Sequence, residues 1–173
     1  MVRISEVVAI ASLPNMWSFL VSPIIDLGLR RRSWVLLFSG LAGVCAWAAI
    51  AGGSLTVVVV ALFLGTLAAA MSSSASGALM STVEAGVRGR AAGWSQAGNV
   101  GAGSLFGGAL IWLSDRVELH VVALAAAAII FVPALAVLTV QETPLPRLAL
   151  KPLFRDLFED VWLVLSARRT WLG

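Results

Sequence analysis

Leu55-Thr-Val-Val-Val-Val-Ala-Leu-Phe-Leu-Gly65-Thr-Leu-Ala-Ala-Ala-Met71-Ser-Ser-Ser-Ala-Ser-Gly77-Ala-Leu-Met80 runs without a single charge. A helix of this length exceeds the roughly 30 Å hydrocarbon core of a bilayer at about 1.5 Å per residue. Lipid offers the backbone no hydrogen bonds, so a stretch of this kind must satisfy its own amides as a helix. Four further apolar stretches flank it, giving five in all at 7–25, 33–52, 55–80, 91–113 and 119–140. The alternating segments of about 10 residues that a barrel needs are missing. The expected fold is therefore all-α, a polytopic membrane bundle of about five transmembrane helices.

Composition agrees. The 173 residues are 60% apolar and only 12% charged, with a mean hydropathy of +0.96. Ordinary globular domains carry about twice that share of charge. These values exclude a disordered chain, a nucleic-acid arm and a typical soluble enzyme. Length alone allows at most six or seven spans. The net charge is +3, with a sequence pI near 10.4. The basic residues read as orientation signals rather than as a site for a nucleic acid. Cys45 is the lone cysteine, so it forms no internal disulfide and reads as a small packing residue.

The first stretch is not a cleavable signal. It holds Pro14, Asn15, Trp17 and Pro23, and its positive cluster lies behind it at Arg30, Arg31 and Arg32. A signal peptide has the reverse arrangement. Short linkers put Arg30–Arg32, Arg88, Arg90 and the five basic residues of the tail on one side. Only Arg3 and Arg116 are left for the other. This ten-to-two split predicts an outside N-terminus and a cytoplasmic tail. The chain divides into a five-span bundle, 1–140, and a cytoplasmic linker, 141–173. In the linker Leu153, Phe154, Leu157, Phe158, Val161 and Leu165 form an amphipathic stripe suited to an interfacial helix.

Small residues let helices approach closely in lipid. The third stretch carries a four-residue ladder of Ala61, Gly65, Ala69, Ser73, Gly77 and Ser81, and the fourth carries Gly103 and Gly107 as a GxxxG pair. Gly65, Gly77, Gly103 and Gly107 are the expected packing glycines. The fifth stretch is nearly free of polar atoms and is expected to face lipid. Polar groups within the stretches are Asn15, Ser72, Ser73, Ser74, Ser76, Gln96 and Asn99. They read either as satisfied packing groups or as the wall of a wet path. Asn15, Ser72, Ser73, Ser76, Gln96 and Asn99 are the candidates for a substrate path, and uncharged amides suit a neutral polar solute.

Catalysis has little to work with. The serines have no base within reach, because His120 falls near the opposite end of the fifth stretch. No metal-ligand spacing and no phosphate loop occur, so no cofactor and no enzyme activity are expected.

Ser22-Pro-Ile-Ile-Asp26-Leu-Gly28-Leu-Arg30-Arg31-Arg32-Ser-Trp34 places an acid at one membrane boundary and a basic cluster at the head of the next helix. An acid there is costly unless paired. This segment resembles the signature between the second and third helices of the major facilitator superfamily, with Ser22 at the first glycine position. The five stretches are similar in layout to helices two to six of that fold, part of its N-terminal half. Leu13-Pro14-Asn-Met-Trp17 and Arg88-Gly-Arg90-Ala-Ala-Gly93-Trp94 look like the branch of muropeptide permeases and acetyl-CoA transporters.

The resemblance implies a secondary transporter of the inner membrane that moves a small solute by alternating access. It also implies a gating charge network of Asp26, Arg30, Arg31, Arg32, Glu84, Arg88 and Arg90. On this comparison the chain reads as a fragment, with a second helix bundle as its partner beside the lipid bilayer. The alternative is a small non-transporting membrane partner or scaffold subunit.

Overall fold

The computed structural model describes residues 4–21, 25, 29–140 and 142. Asp26 and the tail from 143 onward, with its amphipathic stripe, lie outside the described residues. Five helices follow in order: α1 (Ile4–Val21), α2 (Arg31–Ala51), α3 (Leu55–Met80), α4 (Ala85–Ser114) and α5 (Leu119–Ala134). A short 3-10 turn, Leu135–Thr139, extends α5. Pro133 lies in the last turn of α5, where its missing N–H leaves the carbonyl one turn back without its helical donor. No strand occurs among the described residues.

Three segments are long and apolar enough to cross a membrane: Arg31–Ala51, Leu55–Met80 and Leu119–Thr139. The chain is an integral membrane protein by that measure. These are the spans found among the described residues. α1 carries Glu6, Pro14 and Asn15 within its 18 residues. α4 is long, but glycine, arginine and amide residues dilute it.

α2 is the spine. It packs against α3 on one side and against α5 on the other, and α1 lies on α3. Small residues make these approaches. A Cβ on Gly65 would lie 3.1 Å from the Cβ of Cys45, so α2 and α3 meet there. A Cβ on Gly43 would lie 3.2 Å from the Ala127 carbonyl oxygen, and Gly40 sits under the Phe131 ring. Val122, Ala123 and Ala126 bury one face of α5, while Leu124, Ile130 and Phe131 remain exposed. At one end of the bundle Ile25, Val35, Met71, Ala75 and Leu79 form a buried cluster. Trp34 and Phe38 lie over it, stacked with their centroids 5.3 Å apart.

The α2–α3 connection is tight. Gly52 donates its N–H to Ala48 O at 2.8 Å, and Ser54 caps α3 by accepting from Val57 N at 3.3 Å. A Cβ on Gly52 would overlap both the Ala48 carbonyl and the Val57 side chain, whereas one on Gly53 meets nothing. Gly52→Ala is expected to destabilise the protein by about 1–3 kcal/mol through overpacking. Gly53→Ala is expected to leave it unchanged. Thermal unfolding of the two variants in detergent measures the difference.

Candidate functional site

The richest polar arrangement lies at the end of the bundle where α2 begins and α3 stops. The first amides of a helix have no partner inside it. Arg30, at the N-cap of α2, supplies no side-chain cap. Glu142 does so from the far end of the sequence. Its carboxylate accepts from Arg31 N at 2.8 Å and Arg32 N at 3.3 Å. A carboxylate also opposes the positive end of the helix dipole, which three consecutive arginines would otherwise reinforce.

The same arginines serve the neighbouring helix. Arg31 donates from Nη1 to Ala78 O at 2.9 Å. Arg88 reaches back from α4 and donates from Nη2 to Ser81 O at 3.0 Å and Val83 O at 3.1 Å. Ser81 and Thr82 hydroxyls donate to Ala78 O and Leu79 O. The otherwise orphaned carbonyls of the α3 terminus are thus taken up almost completely, with two guanidiniums at the negative end of its dipole.

Of the expected charge network, Arg31 and Arg88 converge on the end of α3. Arg30, Arg90 and Glu84 are exposed and Arg32 is half-buried, and their side chains make no hydrogen bond or ion pair among the described residues. Glu84 acts instead through its backbone, whose carbonyl accepts from Val87 N and Arg88 N at the start of α4. Sequence reasoning missed Glu142. The available signal was an acid just beyond the fifth apolar stretch, at the same boundary as three arginines heading an uncapped helix.

The candidate path residues divide. Ser72 is half-buried between α2 and α3, where its hydroxyl pairs with that of Ser39 at 2.8 Å. Ser39 is the buried polar residue of the described core. Ser73 is exposed and Ser76 half-buried on α3. Asn15 is exposed on α1 beside the buried Pro14, and its carbonyl accepts from the Ser18 hydroxyl. Gln96 and Asn99 are exposed on α4, one turn apart. No hydrogen bond among the described residues holds any of these three amide side chains, and none joins them to one another. An apolar groove of about 550 Å³ lies elsewhere, between Gly40, Gly43, Val44 and Trp47 of α2 and Leu124 and Phe131 of α5.

α4 itself stands apart. It touches α5 and α3 only lightly. Trp94 is 80% exposed, and Val100, Leu105 and Ile111 are exposed with it. Gly103 and Gly107 have nothing within 4 Å of where a Cβ would be, and the same is true of Gly77 on α3. Gly65 is the one expected packing glycine set against a neighbouring helix. The packing role of Gly40 and Gly43 was not anticipated, because their small size is matched by a bulky or backbone group on α5 rather than by a second small residue.

No family model matches the chain, and neither a curated protein nor a solved structure matches it.

Two outcomes follow from the hydrogen bonds. Glu142→Ala removes the cap of α2 and is expected to cost about 1–2 kcal/mol, read by denaturation in detergent, with Glu142→Gln retaining part of the loss-prone contact. A double-mutant cycle of Ser39→Ala and Ser72→Ala is expected to return a coupling of about 0.6 kcal/mol, the usual size of an interhelical bond in a membrane protein.

Proposed function

We propose that this chain forms one helical wall of a membrane transporter that moves a small, uncharged polar solute by alternating access. The observation that carries the reading is α4. It is a 30-residue helix that presents Gln96 and Asn99 beside glycines with no partner among the described residues, and it touches α3 and α5 only lightly. An amide in hydrocarbon is unfavourable by several kcal/mol, as an estimate of order, so such a face calls for water or a polar ligand. The resemblance of the Asp26-to-Trp34 segment to the major facilitator signature supports the same reading. A second helix bundle, on this or another chain, completes the cavity.

In this reading the arginine-rich end faces the cytoplasm, as the distribution of basic residues directs. The membrane is the inner membrane of a bacterial-type cell. Arg31 and Arg88 hold the end of α3 rigid where the gate closes against the second bundle. At the other end Arg116 lies over the Trp112 ring, 3.8 Å from its centroid, which suits an interfacial anchor.

A second reading draws on the same helix. The open surface around Gly103 and Gly107 would also suit a non-transporting subunit that docks on another membrane protein.

Accessibility separates the two. Cys45 is the sole cysteine, so Cys45→Ala gives a cysteine-free background. In membranes, Gln96→Cys and Asn99→Cys are expected to react with a membrane-impermeant maleimide at least about tenfold faster than Leu124→Cys in the apolar groove of α5. Equal, negligible labelling at all three positions would remove the transport reading and leave the docking one.

A further inference from the structure

We propose that Arg30, Arg32 and Arg90 form a binding surface for the headgroups of anionic phospholipids. This goes beyond the transport reading and does not depend on it.

The depth is right. α2 begins at Arg31 and runs 21 residues to Ala51, about 32 Å of helix at 1.5 Å per residue. That matches the hydrocarbon core of roughly 30 Å, so the residues at its start sit at headgroup level. The end of α3 shares that level, because Arg31 is hydrogen-bonded to Ala78 O. Arg88 binds the same helix end, which brings the beginning of α4, and with it Arg90, to the same rim.

Among the described residues, positive charge is in excess there. Five arginines gather at this end: Arg30, Arg31, Arg32, Arg88 and Arg90. Two are engaged on the carbonyls of the α3 terminus and its turn. The acids described at this end are Glu142, whose oxygens are taken by the Arg31 and Arg32 amides, and Glu84, which is exposed. Three guanidiniums therefore face one uncommitted carboxylate. Arg30 and Arg90 are exposed and Arg32 is partly so. Orientation in the membrane needs only the charges. Fixing the helix ends needs only Arg31 and Arg88. The remaining three have no side-chain partner among the described residues and can pair with phosphate, which a guanidinium can grip through two parallel N–H bonds. A leaflet rich in anionic lipid supplies phosphates at the matching depth.

The test uses the full chain in detergent micelles, titrated with phosphatidylglycerol or phosphatidylcholine. Native mass spectrometry reads retained lipid and a thermal melt reads stabilisation. Phosphatidylglycerol is expected to be retained at least about tenfold more than phosphatidylcholine. The triple variant Arg30→Gln, Arg32→Gln, Arg90→Gln is expected to lose that preference. Arg116→Gln, at the opposite end, is expected to keep it. The triple lysine variant preserves charge and is expected to retain most of it. Should the glutamine variant fail to fold, the wild-type preference must still fall as salt is raised from 0.05 to about 0.5 M, because the contacts lie at the surface. Equal retention of the two lipids overturns the proposal, and would mean that carboxylates of the protein itself occupy the three arginines. A preference that survives the glutamine substitutions, or one insensitive to salt, overturns it as well.

Discussion

A helix that ends at a membrane boundary leaves amides or carbonyls that the hydrocarbon cannot satisfy, and this bundle depends on how two such ends are closed against each other. The start of α2 lacks acceptors and the end of α3 lacks donors. Arg31 addresses both deficits. Its backbone N–H is taken by Glu142, and its side chain donates to Ala78 O. One residue thereby joins the segment after α5, the head of α2 and the foot of α3. The apolar cluster of Ile25, Val35, Met71, Ala75 and Leu79 lies at that end of the bundle. Packing in lipid gains little from the hydrophobic effect, so these polar closures carry a larger share of the specificity than they would in water.

The helices themselves were legible because membrane spans are written in length and hydropathy. The run from Leu55 to Met80 matches α3 residue for residue, and α2 differs by two residues at its start and one at its end. Proline was harder to weigh. The last apolar stretch looks uniform through Val140, yet past Pro133 it winds as a 3-10 turn from Leu135. The packing surfaces were the least legible. A ladder of small residues marks where close approach is possible, not which helix arrives. Gly65 meets Cys45, while Gly103 and Gly107 lie open. Gly40 and Gly43 take their importance from Phe131 and Ala127, some ninety residues away in sequence, and no local pattern links them.

The polar residues show the same division between local and distant information. Gln96 and Asn99 could be placed on one helix face from their spacing alone. Ser72 could not be assigned until Ser39 appeared opposite it, since a serine satisfied by its own helix and one bonded across an interface look identical in sequence. Glu142 belongs with this group. In the sequence it is a solvated acid leading a proline-rich tail. In the fold it is the cap that the three arginines prevent α2 from supplying for itself.

The turn at Gly52 and Gly53 bears on how the protein enters the membrane at all. Only three residues separate Ala51 from Leu55. The four steps from Ala51 to Leu55 span at most about 14 Å, little more than the roughly 8–10 Å between the axes of packed helices. α2 and α3 can therefore never drift apart within the bilayer plane. The tether holds each at a very high effective concentration for the other. The tie makes α2 and α3 a linked pair in the bilayer, whatever the order in which the other helices join them.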